Sequence, residues 1–217
     1  MAAAARDAAE RALRTAISRG ELSPGHRLVE AELAEQIGVN RSSARLAIDA
    51  LIAEGLVERI PNRGARVRVV STDEAVAITE CRMSLEGLLA RKAAERISAD
   101  EAGRLRAHLS AMAEAVEAGD LLKYTELIGH LYGLVHDAAR HPVATNLVER
   151  LQAQLVRHQF RLSLRPGRPR VSLQELTALV DAIADGDADR AEAAAVAHFR
   201  SVIAALTEPR EDSGGLA

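Results

Sequence analysis

The stretch Leu33-Ala34-Glu35-Gln36-Ile37-Gly38-Val39-Asn40-Arg41-Ser42-Ser43-Ala44-Arg45 decides the reading of this chain. Leu33, Ala34 and Ile37 fall at helical spacing, Gly38 stops that helix, and Asn40 is a strong N-cap for the next one. The second helix runs from Asn40 to Glu54, with Ala44, Ala47, Ile48 and Leu51 on its inner face. Its first turn carries an amide, two hydroxyls and two arginines four residues apart. Two helices joined across a glycine, with that chemistry opening the second, point to a helix-turn-helix.

The flanking sequence completes the motif. Upstream, residues 6–19 place Ala9, Leu13, Ala16 and Ile17 on one apolar face, and Ser23-Pro24-Gly25 makes a turn. Downstream, Leu56-Val57-Glu58-Arg59-Ile60 and Ala65-Arg66-Val67-Arg68-Val69 alternate with a period of two around Pro61-Asn62-Arg63-Gly64. That is the pattern of a β-hairpin. Three helices followed by a hairpin within residues 1–71 have the order of a winged helix-turn-helix.

After residue 71 the strand pattern does not return. Helices are expected at 73–96, 99–117, 119–139, 142–165, 172–185 and 187–207, punctuated at Ser98, Gly119-Asp120, His141-Pro142, residues 165–169 and 185–187. Six helices on short loops form an antiparallel bundle. The expected fold is therefore mainly α: a winged helix-turn-helix over 1–71, an all-α helical domain over 72–208, and a flexible polar tail over 209–217.

Composition agrees with two globular units. Hydrophobic residues make up 48% and charged residues 27%, but aromatics only 2%, so the cores are built from Leu, Ala, Val and Ile. The net charge of −3 hides an asymmetry: residues 1–71 carry 11 Arg against 9 Asp and Glu, while the rest is net −5. Basic surface is thus expected at the N-terminal end. One cysteine, Cys81, excludes an intrachain disulfide and a Cys-based zinc site. Its setting in an apolar helical stretch suggests a small buried hydrophobe. No apolar run reaches the length of a membrane span and no signal-peptide pattern opens the chain, so a cytoplasmic protein is expected.

A recognition helix meets DNA with its first turn, where Asn40, Arg41, Ser42, Ser43 and Arg45 stand here. Arginine can grip guanine O6 and N7 bidentately, and small hydroxyls can bond phosphates. At the wing tip, Asn62, Arg63 and Gly64 are placed to enter the minor groove or to track a phosphate.

Residues 20–30, Leu33-Ala34, Gly38-Val39-Asn40-Arg41, Leu51, Glu54-Gly55-Leu56-Val57 and Asn62-Arg63-Gly64-Ala65 together resemble the GntR family of bacterial regulators. The helical second part, with Ala139-Arg140-His141-Pro142-Val143-Ala144, Asp181-Ala182-Ile183, Gly186-Asp187 and Ala197-His198, resembles the FadR-type or FCD branch. The resemblance implies a homodimeric transcriptional regulator, expected to be a repressor, that binds a palindromic operator and answers to a small-molecule effector. Two departures stand out. Leu46 replaces the usual acid, implying a changed contact within the domain or an apolar surface residue near DNA. Ser43-Ala44 replaces the usual Pro-Val.

The resemblance also implies a divalent metal held by an acid or amide, a histidine four residues later, and two histidines from the last two helices. Those positions fall here on Ile128, Tyr132, Leu176 and His198, so no metal is expected. Sliding the register by two residues would bring His130, with Glu126 four residues before it, to the histidine position. In this branch an arginine on the first bundle helix often meets a ligand carboxylate, and Arg82 is its counterpart. Arg82, Tyr132, Arg157, Arg161 and His198 are the expected effector contacts, for a carboxylate-bearing ligand. Arg82 must otherwise pair with Glu86 at i, i+4. Against an enzyme, the chain has no Gly-x-Ser-x-Gly, no His-Glu-x-x-His and no phosphate-binding glycine loop. A regulator without effector control is the other alternative.

Overall fold

The computed structural model describes residues 2–18, 20–61 and 64–208, and for residues 2–4, 18, 156, 157 and 160 the backbone alone. One compact unit comprises the chain up to Ser71 with Ala153–Arg157. The other comprises Thr72–Gln152 and the chain from His158 on.

The first unit runs α1 (Ala2–Ser18), β1 (Arg27–Leu28), α2 (Glu30–Ile37), α3 (Arg41–Ala53), β2 (Val57–Ile60) and β3 (Gly64–Val67). Its core gathers Ala9, Leu13 and Ile17 of α1 with Leu33, Ala47, Ile48 and Leu51, and with Leu56, Val57 and Val67 of the sheet region. Gly38 closes α2 in the left-handed conformation at φ 72°, which a residue without Cβ adopts freely. Asn40 then opens α3 by accepting the Ser43 backbone N–H on Oδ1 at 2.8 Å. The hairpin gains a third strand: the sheet order is β1-β3-β2, all antiparallel, with Arg27 opposite Arg66 and Val57 opposite Val67. Two residues have no legible periodicity, so β1 was not expected from sequence.

The second unit runs α4 (Thr72–Arg96), α5 (Ala99–Glu117), α6 (Leu121–Ala139), α7 (Pro142–Gln154), α8 (Val156–Ser163), α9 (Arg168–Ala184) and α10 (Ala188–Thr207). Helix α4 packs on α6, α9 and α10, and α5 packs on α6 and α9. Gly87 lets α10 come close: a Cβ there would stand 3.3 Å from Val196 Cγ2 and 3.4 Å from Glu192 Cγ. A capping box at Ser98 and Glu101 opens α5, and Asp120 and Asp187 cap α6 and α10.

Three expectations are corrected. The helix expected over 142–165 is broken at Leu155 into α7 and α8, giving seven helices among the described residues where six were expected. The helix expected from 172 starts at Arg168, with Gly167 as N-cap and Pro169 in its first turn; proline is tolerated there because that N–H has no intrahelical partner anyway. Cys81 is exposed, not buried. The buried stripe of α4 follows Ala75, Ile78, Thr79, Arg82, Glu86, Leu89 and Ala93, and position 81 lies about 120° off its centre. Among the described residues no helix is long and apolar enough to cross a membrane.

Candidate nucleic-acid interface and ligand cavity

Helix α3 divides cleanly into two faces. Ala44, Ala47, Ile48 and Leu51 are buried, while Arg41, Ser42, Arg45 and Leu46 are exposed. Ser43, expected to face DNA, is only 3% exposed, and its backbone N–H is held by the Asn40 cap. It therefore supports the helix start rather than presenting a hydroxyl outward. Arg41 Nε donates to Glu30 Oε2 at 3.2 Å with its side chain 74% exposed, and Arg45 is exposed beside it on the same face. Leu46 is an apolar surface residue, which resolves the alternative left open by its sequence. Nearby on the sheet, Arg59 pairs with Asp49 and Arg66 with Glu58. Gly64 is exposed at the start of β3 with φ 87°. Asn62 and Arg63 lie outside the described residues.

The helical unit holds a partly open cavity of about 120 Å³ between α4, α6, α9 and α10, with α7 and α8 also contributing to its wall. Its polar lining includes Arg82, Tyr132, Arg168, Ser172 and His198; Ile128, Phe199 and Val202 supply apolar wall. Arg82 comes from α4, where its guanidinium carbon stands 5.0 Å above the centre of the Phe199 ring. Its Nη2 donates to Glu86 Oε1 at 3.0 Å, and His136 Nε2 lies 2.8 Å from Glu86 Oε2. All three side chains are buried.

A second Arg–Glu–His group stands on α9 and α10. His198 Nδ1 donates to Glu175 Oε2 at 2.7 Å, and Arg168 reaches both oxygens of that carboxylate at 3.3 Å. Arg168 also donates to Ser201 Oγ at 2.8 Å. Burial works to raise the Glu175 pKa, but the hydrogen bonds from His198, Ser201 and Arg168 overcome it and hold the carboxyl at about 2. The acid is thus ionised and fixes the proton of His198 on Nδ1. Neither carboxylate is among the described residues that line the cavity. Among the described residues, the charged side chains that line it are Arg82 and Arg168.

Arg82, Tyr132 and His198, separated by 50 or more residues in sequence, are brought to this one cavity. Arg161 is exposed and outside its lining, and the Arg157 side chain lies outside the described residues. Sequence reasoning missed Arg168, Ser172, Phe199 and Glu175, while Glu86 was expected as the i, i+4 partner of Arg82. Glu175 and Arg168 are seven residues apart, two helical turns, and that spacing was the available signal once α9 is started at Arg168.

The donor set does not fit the divalent metal implied by the FCD resemblance. Ile128 and Leu176 offer no ligand atom. Tyr132 is held as the neutral phenol: burial first, and the nearby Glu86 charge second, push its pKa well above the usual value. His130 and Glu126 are exposed, and the His130 ring lies 6.2 Å from that of His108, outside the cavity lining. Among the described residues no three His, Cys, Asp or Glu side chains converge to hold a metal.

Comparison with known proteins adds identity to this geometry. Residues 5–67 match the gntR family of bacterial regulatory proteins, and residues 77–201 match the FCD domain. The HTH-type transcriptional repressor RspR of Escherichia coli strain K12 is 25% identical over 203 residues, covering 94% of this chain and 89% of that protein. The Nta operon transcriptional regulator of Aminobacter aminovorans is 29% identical over 181 residues, covering 82% of each. Among solved structures, E. coli McbR/YncC superposes with a TM-score of 0.80 at 22% identity, covering 93% of this chain and 96% of that one.

Proposed function

The chain belongs to the gntR family of bacterial regulatory proteins, in the branch that carries an FCD domain, and from that premise we propose that it represses transcription as a homodimer on a palindromic operator until a small carboxylate occupies its helical domain. It is a DNA-binding transcriptional regulator and not an enzyme.

The observation that carries the reading is charge placement. The DNA-reading helix α3 presents Arg41, Ser42 and Arg45 outward from a capped N-terminus, the part of such a helix that enters the major groove. Among the described residues the cavity is lined by two arginines and by no carboxylate. An arginine-lined, half-apolar cavity favours an anion with a short hydrocarbon body. Two-fold operators mirror protein two-fold symmetry, so the dimer and the inverted repeat stand or fall together. The printed name of RspR supports repression.

Selection of bound duplexes from a random pool, followed by anisotropy titration, tests this. The expected outcome is an inverted-repeat site, two chains per site, and an affinity that falls steeply with salt. Arg41→Ala with Arg45→Ala removes site-specific binding and leaves the helical content unchanged. Recovery of a single asymmetric half-site bound by one chain sinks the dimeric reading. Binding that no small acid weakens sinks effector control and leaves a regulator governed by its own abundance.

A further inference from the structure

Leu46 stands on the outer face of α3 with 49% of its surface open to solvent. Among the described residues of the first unit, Leu46 and Val69 are the large hydrophobic side chains left exposed. Val69 lies beyond the end of β3, whereas Leu46 lies within the helix that presents Arg41, Ser42 and Arg45. A single exposed leucine ordinarily needs no partner. The position of this one gives it one. Leu46 comes four residues after Ser42 and directly after Arg45, so the three share the surface opposite Ala44, Ala47, Ile48 and Leu51. Side chains on a helix lean toward its N-terminus, which carries Leu46 over the turn that holds Ser42. That turn opens at the Asn40 cap and is the part of a helix-turn-helix that enters the major groove.

The chemistry of the partner follows from the side chain. Leucine neither donates nor accepts a hydrogen bond, so at a base edge it recognises apolar surface alone. In the major groove that surface is the C5-methyl group of thymine; guanine, adenine and cytosine are marked there by their donors and acceptors. An acid, the residue that the family resemblance places at this position, repels phosphate and accepts from the cytosine amino group. Leu46 does neither. The substitution exchanges a charged acceptor for a branched apolar group on the same exposed turn.

We propose that Leu46 is a specificity-determining residue that packs against the C5-methyl group of a thymine in the operator. This rests on the reading of α3 as the helix that enters the major groove. It goes further in naming the base edge that one residue of that helix recognises.

The test uses the full chain and the duplex recovered by selection from a random pool. Each thymine of that duplex is replaced in turn by deoxyuridine, which removes the methyl group and keeps every hydrogen-bonding group of the base. At one thymine of the half-site the parent is expected to bind about fourfold more weakly without the methyl, the effect of burying about one methylene. Leu46→Ala is expected to bind the unmodified duplex about fourfold more weakly and to lose the distinction between thymine and deoxyuridine at that position. Its thermal midpoint and the slope of its affinity against salt stay those of the parent, because the leucine is exposed and carries no charge. A parent that binds every deoxyuridine duplex as tightly as the unmodified one overturns the proposal, and that scan depends on no variant. A methyl effect as large in Leu46→Ala as in the parent overturns it too. Either result leaves the assignment of α3 to the major groove intact. A pool from which no sequence is enriched overturns that assignment and this inference with it.

Discussion

Arg82 and Glu86 face each other across one turn of α4, Nη2 donating to Oε1 at 3.0 Å, with the two side chains 4% and 2% exposed. The ion pair is formed inside one helix and sealed by the helices around it. Removing one charge strands the other. Glu86→Ala is expected to cost about 3–5 kcal/mol of stability, because Arg82 is left buried without its counter-ion. The joint replacement Arg82→Met with Glu86→Leu is expected to cost less than Glu86→Ala alone. Urea unfolding of the parent and these variants checks it; a double replacement at least as damaging as the single one means the pair is not the coupling unit.

At the start of α3, Asn40 Oδ1 holds the Ser43 N–H at 2.8 Å. Asn40→Ala is expected to destabilise the N-terminal unit by about 1 kcal/mol, and Asn40→Ser by much less, since a serine hydroxyl can take the same bond. Hydrogen exchange of the Ser43 amide reports the cap directly. Equal protection in the parent and in Asn40→Ala contradicts it.

Glu30 holds Arg41 at 3.2 Å on the exposed face of α3, the face proposed to meet DNA. With Arg41 74% exposed, the pair adds little to stability, within about 0.5 kcal/mol. Glu30→Gln frees the guanidinium and removes a negative charge beside a polyanion. DNA affinity is expected to rise a few-fold at low salt, and the gain to shrink as salt is added. Anisotropy titrations at several salt concentrations decide it; unchanged affinity means Arg41 is not near phosphate or base edges.

Glu175 has a folded-state pKa of about 2 against an ordinary 4.5. A depressed carboxylate contributes stability that is complete above the unfolded pKa and is lost as pH falls through the folded one. The helical unit is therefore expected to lose on the order of 2–3 kcal/mol between about pH 4.5 and pH 2 from this group. Glu175→Gln is expected to flatten the slope of stability against pH in that window. Urea midpoints measured from pH 5 to pH 2 give the comparison, and parallel slopes in parent and variant would rule the linkage out.

Much of the architecture was legible because it is local. The two faces of α3, the glycine at 38, the Asn40 cap and the alternation of the hairpin are all written within a few residues of where they act. The first strand was not legible, because Arg27 and Leu28 become β-structure only by pairing with Arg66 and Ala65. The break at Leu155 likewise interrupts a stretch whose helical periodicity continues on both sides. The exposure of Cys81 was misread from apolar surroundings; its angle relative to Arg82 and Glu86 was the better guide.

The sequence by itself determined a capped, arginine-bearing second helix of the helix-turn-helix and the helical class of the domain that follows it in the chain. Short-range periodicity and backbone chemistry are sufficient for both. It also pointed to Arg82, Tyr132 and His198 as residues of interest. Only the tertiary structure decided that they share one cavity with Arg168 and Phe199, and that Arg161, Glu86 and Glu175 are not among the described residues that line it. Those relations depend on which faces of α4, α6, α9 and α10 meet. Helix contact is set by side-chain packing over distances in sequence that periodicity does not span.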